Sequence, residues 1–367
     1  MTPRTHAAWA QAGPGVSTRA ARLPSAGRRR PQVAASATTD VSTENKAKPD
    51  WTGNDLLSRA VNAAIGFKPL FSVMKFGARQ TLKGSAQKAG VPWTETVRDL
   101  EQSEVYQIKQ EIEDQSLQYP DYYTQSFHGY DEGNLNWLAA FEVEPASEVM
   151  ALRVWRKETL TPLQAQTRLR KAIFKEIRTF QEANNLREAH DIIDIGCSVG
   201  VSTRWLAAEW PRAQVTGLDL SPHFLAVAEL RERQLGGGAG QRQRIHYLHA
   251  NMESSGLPDA SFDLIAAQYV VHECPAHAIE GLVRECRRLL RPGGTLALCD
   301  LNPRSKVIQG LPPVLFTLMK STEPHSDEYY QFDIEGCMRD NGLQAVNTVE
   351  CNPRHRVVLG CLPAAEA

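Results

Sequence analysis

The stretch DIIDIGCSVG, residues 191–200, decides the fold of this chain. Its first five residues have the length and largely apolar character of a buried strand, and a helical pattern begins directly after it near Val201. The small residues in between let backbone N–H groups and a helix N-terminus approach a ligand closely, where the helix dipole favours a carboxylate. The stretch therefore predicts a strand, a ligand-binding turn and a helix.

Short apolar strands and helices continue to alternate after this stretch, which is typical of βαβ units and of a parallel sheet covered on both faces. Ser221 and Pro222 provide an N-cap and a first helical position, and we expect another helix to end at Pro292–Gly294. A helix over residues 162–183 leads into this domain. We predict strands near residues 191–195, 214–219, 244–248, 262–267, 295–300, 344–349 and 355–361.

The N-terminal residues have the composition of an organellar leader. Six arginines and no Asp or Glu precede Asp40, among many Ala, Ser, Thr, Gly and Pro residues. The segment Val33–Ser36 resembles the processing sites of algal chloroplast precursors. We therefore expect residues 1–35 to be a transit peptide for the chloroplast, with the mitochondrion as the alternative destination. A basic arm that binds nucleic acid is the competing interpretation.

Charge and cysteine content argue against several classes of protein. Without the six leader arginines the formal net charge falls from -1 to -7, so phosphate neutralisation is a poor source of affinity and we expect no nucleic-acid partner. The seven cysteines contain no CxxC pair and no spacing typical of zinc sites, so we predict free thiols and no metal site. No apolar run reaches the length needed to cross a bilayer. The oligomeric state leaves no signal in the sequence.

Residues 36–160 are mainly helical in pattern and contain two unusual segments. The basic segment, residues 59–88, alternates basic and apolar residues, and no acidic residue occurs from Leu56 to Thr94. Such a segment either makes peripheral contact with an anionic membrane or packs on the domain with its lysines in water. The aromatic segment, residues 120–144, is too polar for a core helix and too aromatic for a linker. We predict that it forms a lid.

The turn and the second strand together indicate the kind of cofactor. A nicotinamide dinucleotide would require GxGxxG, but Ser198 and Val201 stand where the second and third glycines would be. Asp219 closes the second predicted strand, where a carboxylate can accept hydrogen bonds from two ribose hydroxyls. A helix-capping role for Asp219 is disfavoured because Ser221 already provides the cap. The pattern favours S-adenosylmethionine over a dinucleotide.

Four motifs in order resemble those of class I S-adenosylmethionine-dependent methyltransferases, most nearly the UbiE type of ubiquinone and menaquinone biosynthesis: DIIDIGCSVG, VTGLDLSP, LPDASFDLIAAQYVVHECP and LLRPGGTLALCD. The resemblance covers residues 185–300. The aromatic segment and SVMKFGARQTLKGSAQKAGVPW are also similar to uncharacterised plastid methyltransferase-like proteins of plants and algae. The resemblance implies an α/β, Rossmann-like domain over 161–367, with a seven-stranded, mostly parallel sheet whose last strand is antiparallel.

The cofactor-binding residues that we predict follow successive strands. The resemblance implies that Asn251 and Met252 lie at the adenine, although Asn251 stands where Asp is usual and a loop-turn role is the alternative. The full predicted set for S-adenosylmethionine is Asp194, Gly196, Ser198, Gly200, Asp219, Leu220, Asn251, Met252 and Gln268.

For an acceptor that must lose a proton, we predict His272 as the general base, because it follows the fourth strand at the carboxyl edge and titrates near neutral pH. Some class I enzymes that resemble this chain place a tyrosine from the N-terminal segment beside such a histidine, which implies Tyr130 or Tyr122 as a lid partner. A helix-capping role for His272 is the competing interpretation. The alternative bases are His128, His325 and Asp300.

These features predict a methyltransferase that acts on a small aromatic or quinone-like metabolite, because flat apolar acceptors stack on aromatic side chains. One alternative is a protein methyltransferase, since an acidic mature surface attracts basic substrates. Another is a protein that binds the cofactor without catalysis. The fold alone does not decide among them.

Overall fold

The computed structural model describes residues 68–235, 244–312, 319 and 322–364. The predicted leader and the start of the basic segment lie outside the described residues. All seven cysteines are free thiols, as predicted. In the part of the chain that the structure describes, no helix combines the length and the apolar character that a membrane span requires.

Helices precede the sheet and alternate with its strands. Helices α1 to α5 cover Lys68–Lys88, Trp93–Glu101, Val105–Ile112, Trp137–Val154 and Pro162–Ala183. Helices α6 to α11 cover Val201–Glu209, Pro222–Leu235, Ala276–Leu289, Lys306–Gln309, Ser326–Gln331 and Ile334–Asp340. The helix predicted over 162–183 is confirmed, and a capping box between Thr161 and Gln164 fixes its start.

The strands form one sheet of seven in the order β3-β2-β1-β4-β5-β7-β6. Strands β1 to β7 cover Asp191–Ile195, Gln214–Asp219, Ile245–His249, Phe262–Gln268, Leu290–Leu301, Gln344–Glu350 and His355–Cys361. Only β7 runs antiparallel to its neighbours among these strands, so the predicted sheet is confirmed. The strand order reverses between β1 and β4, and ligands of such sheets bind at the carboxyl ends on either side of that reversal.

One predicted helix end is wrong. Helix α8 ends at Leu289, and Leu290 already pairs with Phe262, so Pro292–Gly294 lies inside β5. The register shifts between Phe262 and Leu264, which accommodates the extra residues as a bulge. The glycines therefore mark an irregular strand and not the end of a helix.

Both faces of the sheet are buried, as β1 illustrates. Ile193 and Ile195 pack on the layer that contains α8, whereas Ile192 packs with Ile173 and Ile177 of α5. Burial of each such side chain contributes about 1.5–3 kcal/mol. Packing on two sides holds the carboxyl end of β1 in place, directly before the predicted ligand-binding turn.

Glu142 of α4 gathers the N-terminal helices around one buried carboxylate. Its Oε1 accepts hydrogen bonds from Arg79 at 2.6 Å and from Trp93 Nε1 at 2.9 Å, and Lys83 Nζ lies 3.2 Å away. Its Oε2 accepts the hydroxyl of Tyr130 at 2.7 Å. Arg79 and Lys83 of the basic segment thus neutralise a buried acid. This contact supports the interpretation that their part of the basic segment packs on the domain. Membrane contact stays a prediction.

Candidate active site

Three left-handed backbone conformations shape the turn between β1 and α6. Gly196, Ser198 and Gly200 have φ values of 65°, 51° and 75°. A Cβ on Gly196 would lie 2.4 Å from Val270 Cγ2, and a Cβ on Gly200 would lie 2.1 Å from the hydroxyl oxygen of Tyr247. Both glycines are therefore required by packing within the protein. Ser198 adopts this conformation with a side chain, which is uncommon away from functional sites.

Asp219 lies at the end of β2 and faces this turn. Its Oδ2 accepts the N–H of Ser198 at 2.8 Å, and its Oδ1 accepts the N–H of Ser221 at 2.8 Å. Burial raises the pKa of Asp219 to about 6, although both N–H donors favour the carboxylate. Ser221 Oγ accepts the N–H of Phe224 at 3.3 Å and caps α7, so Asp219 keeps lone pairs for a ligand.

Buried polar atoms without a partner among the described residues lie at the ends of β1 and β4. Asp194 Oδ2 accepts the hydroxyls of Ser202 and Thr203 at 2.6 Å and 2.7 Å, but its Oδ1 has no partner. Ser198 Oγ and Gln268 Nε2 are also unpaired. Because such atoms are costly to leave without a partner, they fit a polar ligand. The amino and carboxylate groups of S-adenosylmethionine are of the right chemistry.

Arg170 of α5 is a candidate site residue that the sequence analysis missed. It is buried and donates to Gln268 Oε1 at 2.6 Å, and within the described ranges its Nε has no partner. A buried guanidinium with a free donor suits a ligand carboxylate. The signal in the sequence was its spacing of three and seven residues from Ile173 and Ile177, which places this charge on the buried face of the helix.

The residues predicted at the adenine make turn and packing contacts. Asn251 Oδ1 accepts the N–H of Glu253 at 2.8 Å, which is the loop-turn role given above as the alternative. Met252 is half-buried and packs on the core. Leu220 is buried, and its carbonyl oxygen lies 3.1 Å from His249 Nε2. These residues follow β2 and β3 at the cofactor edge, and their contacts with the cofactor stay predictions.

The aromatic segment lies over Asp219. The hydroxyl of Tyr123 is 3.5 Å from Asp219 Oδ1, and burial raises the pKa of Tyr123 well above its ordinary value. Its ring stacks on that of Tyr119, which lies just before the segment, with centroids 6.2 Å apart. The segment therefore covers the carboxylate of Asp219.

The two tyrosines predicted as partners of His272 have other partners. Tyr130 donates to Glu142 at 2.7 Å, and Tyr122 donates to Glu253 at 2.6 Å. Burial and these carboxylates raise the pKa of both hydroxyls, so neither is ionised near neutral pH. The residue of the aromatic segment that approaches the His272 ring is a histidine, as described below. The predicted role of Tyr130 beside His272 is therefore not supported.

His272 lies in a short turn after β4 and is buried. Its Nδ1 is 2.8 Å from Asp300 Oδ1, and its backbone N–H donates to Asp300 Oδ2 at 3.0 Å. Burial lowers the pKa of His272, but Asp300 outweighs this effect and raises it to about 10. The ring is thus charged at neutral pH, and the neutral-range titration expected from the sequence is wrong. The capping role is not supported either, because Ala276 N–H at the start of α8 donates to Glu328 at 2.8 Å.

His128 and Glu323 complete the surroundings of the His272 ring. The rings of His128 and His272 have centroids 6.5 Å apart, and His128 Nε2 lies 3.7 Å from Glu323 Oε1. His325, an alternative base in the sequence analysis, lies 3.7 Å from Glu328 instead. Glu323 was missed because nothing in its polar stretch of sequence resembles a motif.

Comparisons with known proteins agree with this geometry. Residues 193–298 match the family described as a methyltransferase domain. The chain is 35% identical over 113 residues to a trans-aconitate 2-methyltransferase of Azoarcus sp. (strain BH72), which covers 31% of this chain and 40% of that protein. It is 31% identical over 153 residues to a demethylmenaquinone methyltransferase of Tropheryma whipplei (strain Twist), which covers 40% and 59%. The chain thus spans less than two thirds of the length of these relatives.

A solved structure of a SAM dependent methyltransferase from Aquifex aeolicus has a TM-score of 0.42 and 17% identity, over 58% of this chain and 98% of that one. The family match contains every predicted cofactor-binding residue and His272, whereas His128, Arg170, Asp300 and Glu323 lie outside it. Over residues 193–298 the chain is therefore similar to the methyltransferase-domain family, and S-adenosylmethionine is the cofactor that this similarity supports.

Proposed function

We propose that this protein transfers the methyl group of S-adenosylmethionine to a small-molecule acceptor. The proposal rests on one observation, which is that two half-sites lie at the same edge of the sheet. Asp219 and the unpaired atoms of Asp194 and Ser198 lie on one side, and the pair of His272 and Asp300 lies just beyond β4 on the other. Because β1 and β4 are neighbours in the sheet, both half-sites face the same edge.

The cofactor supplies an electrophilic methyl group on a sulfonium, and the residues of the chain bind and orient it. Asp219 holds the ribose hydroxyls, and Arg170 with Gln268 holds the methionyl end. Placing donor and acceptor in near-attack geometry can supply roughly 7–11 kcal/mol of the barrier. Tyr123, which lies over Asp219, excludes water from the crevice.

The acceptor that we propose is aromatic or quinone-like. The stacked rings of Tyr119 and Tyr123, beside Asp219, offer a flat apolar surface. Two relatives are named a demethylmenaquinone methyltransferase and, at 26% identity over 162 residues, a ubiquinone biosynthesis O-methyltransferase of Pseudomonas paraeruginosa (strain DSM 24068 / PA7). These names describe those proteins and support the proposal by analogy.

We place the reaction in the chloroplast. Residues 1–35 are rich in arginine and free of acid, which is the composition of a transit peptide. A fluorescent protein fused to residues 1–50 should enter chloroplasts. Import into mitochondria would show that the mitochondrion is the destination instead. Retention in the cytosol would contradict the role as a transit peptide.

The activity is tested with the purified protein, methyl-labelled S-adenosylmethionine and fractionated plastid extract. We expect label in the fraction of small aromatic or quinone-like compounds, and none with Asp219→Ala. Label in protein would indicate a protein methyltransferase. Intact cofactor binding without label in any fraction would indicate a protein that binds the cofactor and does not catalyse.

A further inference from the structure

Three side chains that can bind a metal meet on the acceptor side of the site. His128 from the aromatic segment, His272 after β4 and Glu323 before α10 each offer one ligand atom, and these atoms lie within 4.8 Å of one another. Ligand atoms on a tetrahedral ion at about 2.1 Å are separated by about 3.4 Å. The ligand atoms therefore have to approach one another by at most about 1.4 Å for all three to bind one ion.

Two of the three side chains are oriented by a second polar contact. Asp300 Oδ1 lies 2.8 Å from Nδ1 of His272, so Nε2 is the nitrogen that binds an ion, which displaces the Nε2 proton of the charged ring. Histidines bound to metal almost always have such a carboxylate or carbonyl on the other ring nitrogen. The hydroxyl of Ser326 donates to the carbonyl oxygen of Glu323 at 2.7 Å and lies 3.2 Å from its Oε2, while Oε1 of Glu323 faces His128.

The third side chain is placed by its backbone. His128 has a φ of 48°, a conformation that few residues other than glycine adopt and that collects at functional sites. Its N–H donates to the carbonyl oxygen of Thr322 at 2.9 Å, directly before Glu323 in the chain. This bond joins the aromatic segment to the residues before α10 at the position of the cluster.

We propose that His128, His272 and Glu323 form a mononuclear site for a divalent transition-metal ion. Two imidazoles and one carboxylate suit zinc, iron or cobalt, whereas magnesium and calcium prefer oxygen ligands throughout. Three protein ligands leave a position open, as catalytic metal sites do. The prediction of no metal site rested on cysteine spacing, and it missed these ligands because they come from three distant segments.

The role of the ion rests on the proposed methyltransferase function. The ion binds a hydroxyl oxygen of the acceptor and lowers its pKa, so that the proton leaves to solvent. A lone pair of that oxygen forms the bond to the methyl carbon, and the electrons of the breaking carbon–sulfur bond pass to sulfur. The products are a methyl ether and S-adenosylhomocysteine. The site therefore predicts methylation on oxygen, of a phenol or quinol.

The test uses the full chain without a histidine tag, stripped with a chelator and loaded with Co²⁺ or Zn²⁺. We expect about one ion per chain by elemental mass spectrometry, and d–d absorption bands from Co²⁺. His128→Ala and Glu323→Gln should lose both signals, and Asp300→Asn should weaken Co²⁺ binding by about 10- to 100-fold. His277→Ala is the matched control, because that exposed histidine lies near Tyr122 and outside the cluster, and it should bind like the wild type.

Wild-type protein that retains no ion would overturn the site, and so would His128→Ala and Glu323→Gln variants that bind Co²⁺ as the wild type does. Circular dichroism and S-adenosylmethionine calorimetry show that each variant is folded. Metal binding without any methyl transfer would contradict the proposed function and leave the site standing. Methyl transfer by the chelator-stripped protein at the full rate would refute the catalytic ion and leave the methyltransferase function standing.

Discussion

The cofactor half and the acceptor half of the site are built in different ways. In the cofactor half, Asp194, Asp219 and Gln268 each occupy the last or next-to-last position of a strand of one sheet, and backbone N–H groups fix the carboxylate of Asp219. The acceptor half combines His272 with His128 and Glu323, which come from distant parts of the chain. The first half is built from the sheet and from helix α5, which packs on it and supplies Arg170. The second exists only after the aromatic segment has packed on the domain.

This difference shows which part of the chemistry comes with the shared fold. The cofactor-binding residues that we predict at the strand ends lie within the family match, residues 193–298. Most residues of the acceptor half lie outside it. A common fold can therefore keep one cofactor and accept many substrates, since the added segments change independently. If the two halves are separate, a substitution in one should leave the binding function of the other intact.

The largest effect is expected at Asp219. Asp219→Ala removes the acceptor for two ribose hydroxyls, and a hydrogen bond to a charged group contributes about 1.5–3 kcal/mol. We expect the Kd for S-adenosylmethionine to rise at least about a hundredfold by calorimetry, effectively abolishing binding, while the protein stays folded and still binds Co²⁺. Wild-type affinity would show that the cofactor is not held at the end of β2.

In the acceptor half, His272→Ala should slow methyl transfer by at least about a hundredfold, the lower end of what assisted proton removal contributes. Because the ring is charged at neutral pH it cannot accept a proton there, so the loss is expected from its place as a ligand of the proposed ion. Cofactor affinity should be nearly unchanged, and single-turnover kinetics with calorimetry separate the two quantities. Unchanged turnover would remove His272 from the mechanism and leave catalysis to proximity alone.

The pH dependence of cofactor binding should follow Asp219. Burial raises the pKa of Asp219 to about 6, and the ribose hydroxyls need its ionised form as an acceptor. Affinity should be constant above about pH 7 and fall by up to about tenfold per unit below pH 6. Calorimetry of Asp219→Asn is the control, because that variant should bind weakly at every pH and show no such step.

The smallest effect is expected where the aromatic segment meets the cofactor half. The Tyr123 hydroxyl competes for Oδ1 of Asp219 through a long contact of 3.5 Å. Tyr123→Phe should therefore lower the Kd for S-adenosylmethionine by about two- to fivefold, which corresponds to no more than about 1 kcal/mol. Tyr119→Phe is the matched control, since its hydroxyl lies 3.5 Å from His249 and not at Asp219. A weaker affinity for Tyr123→Phe would mean that Tyr123 helps to hold the cofactor.

The strands were predictable because each is a short apolar run bounded by turn residues, and local patterns of that kind survive folding. The helix end expected at Pro292–Gly294 was not, because glycine permits both a helix end and a bulge. The deciding contact is the pairing of Leu290 with Phe262, which joins distant parts of the chain. The sequence pattern therefore predicts well where strands and helices lie, but it predicts poorly the irregularities within them, such as a bulge.

The residues of the site were likewise predictable where they depend on a local pattern and not where they depend on packing. Asp194 and Asp219 were predictable because parallel strands bring their carboxyl ends to one edge of the sheet. The charge state of His272 depends on burial and on Asp300, neither of which the spacing of motifs reveals. The partners of Tyr130 and His128 are fixed by how the aromatic segment packs, and that packing is a property of the whole domain.

The buried carboxylate of Glu142 sets a kinetic condition on access to the site. Arg79, Lys83 and Trp93 bind it from α1 and α2, whereas Tyr130 binds it from the part of the aromatic segment that precedes α4. Opening the segment at Tyr130 leaves a buried lone pair unmet, which costs about 1–3 kcal/mol. That penalty favours the closed position, together with the hydrogen bond from the N–H of His128 to the carbonyl oxygen of Thr322. We therefore expect turnover to depend on how often this part of the segment opens as well as on the speed of the chemistry.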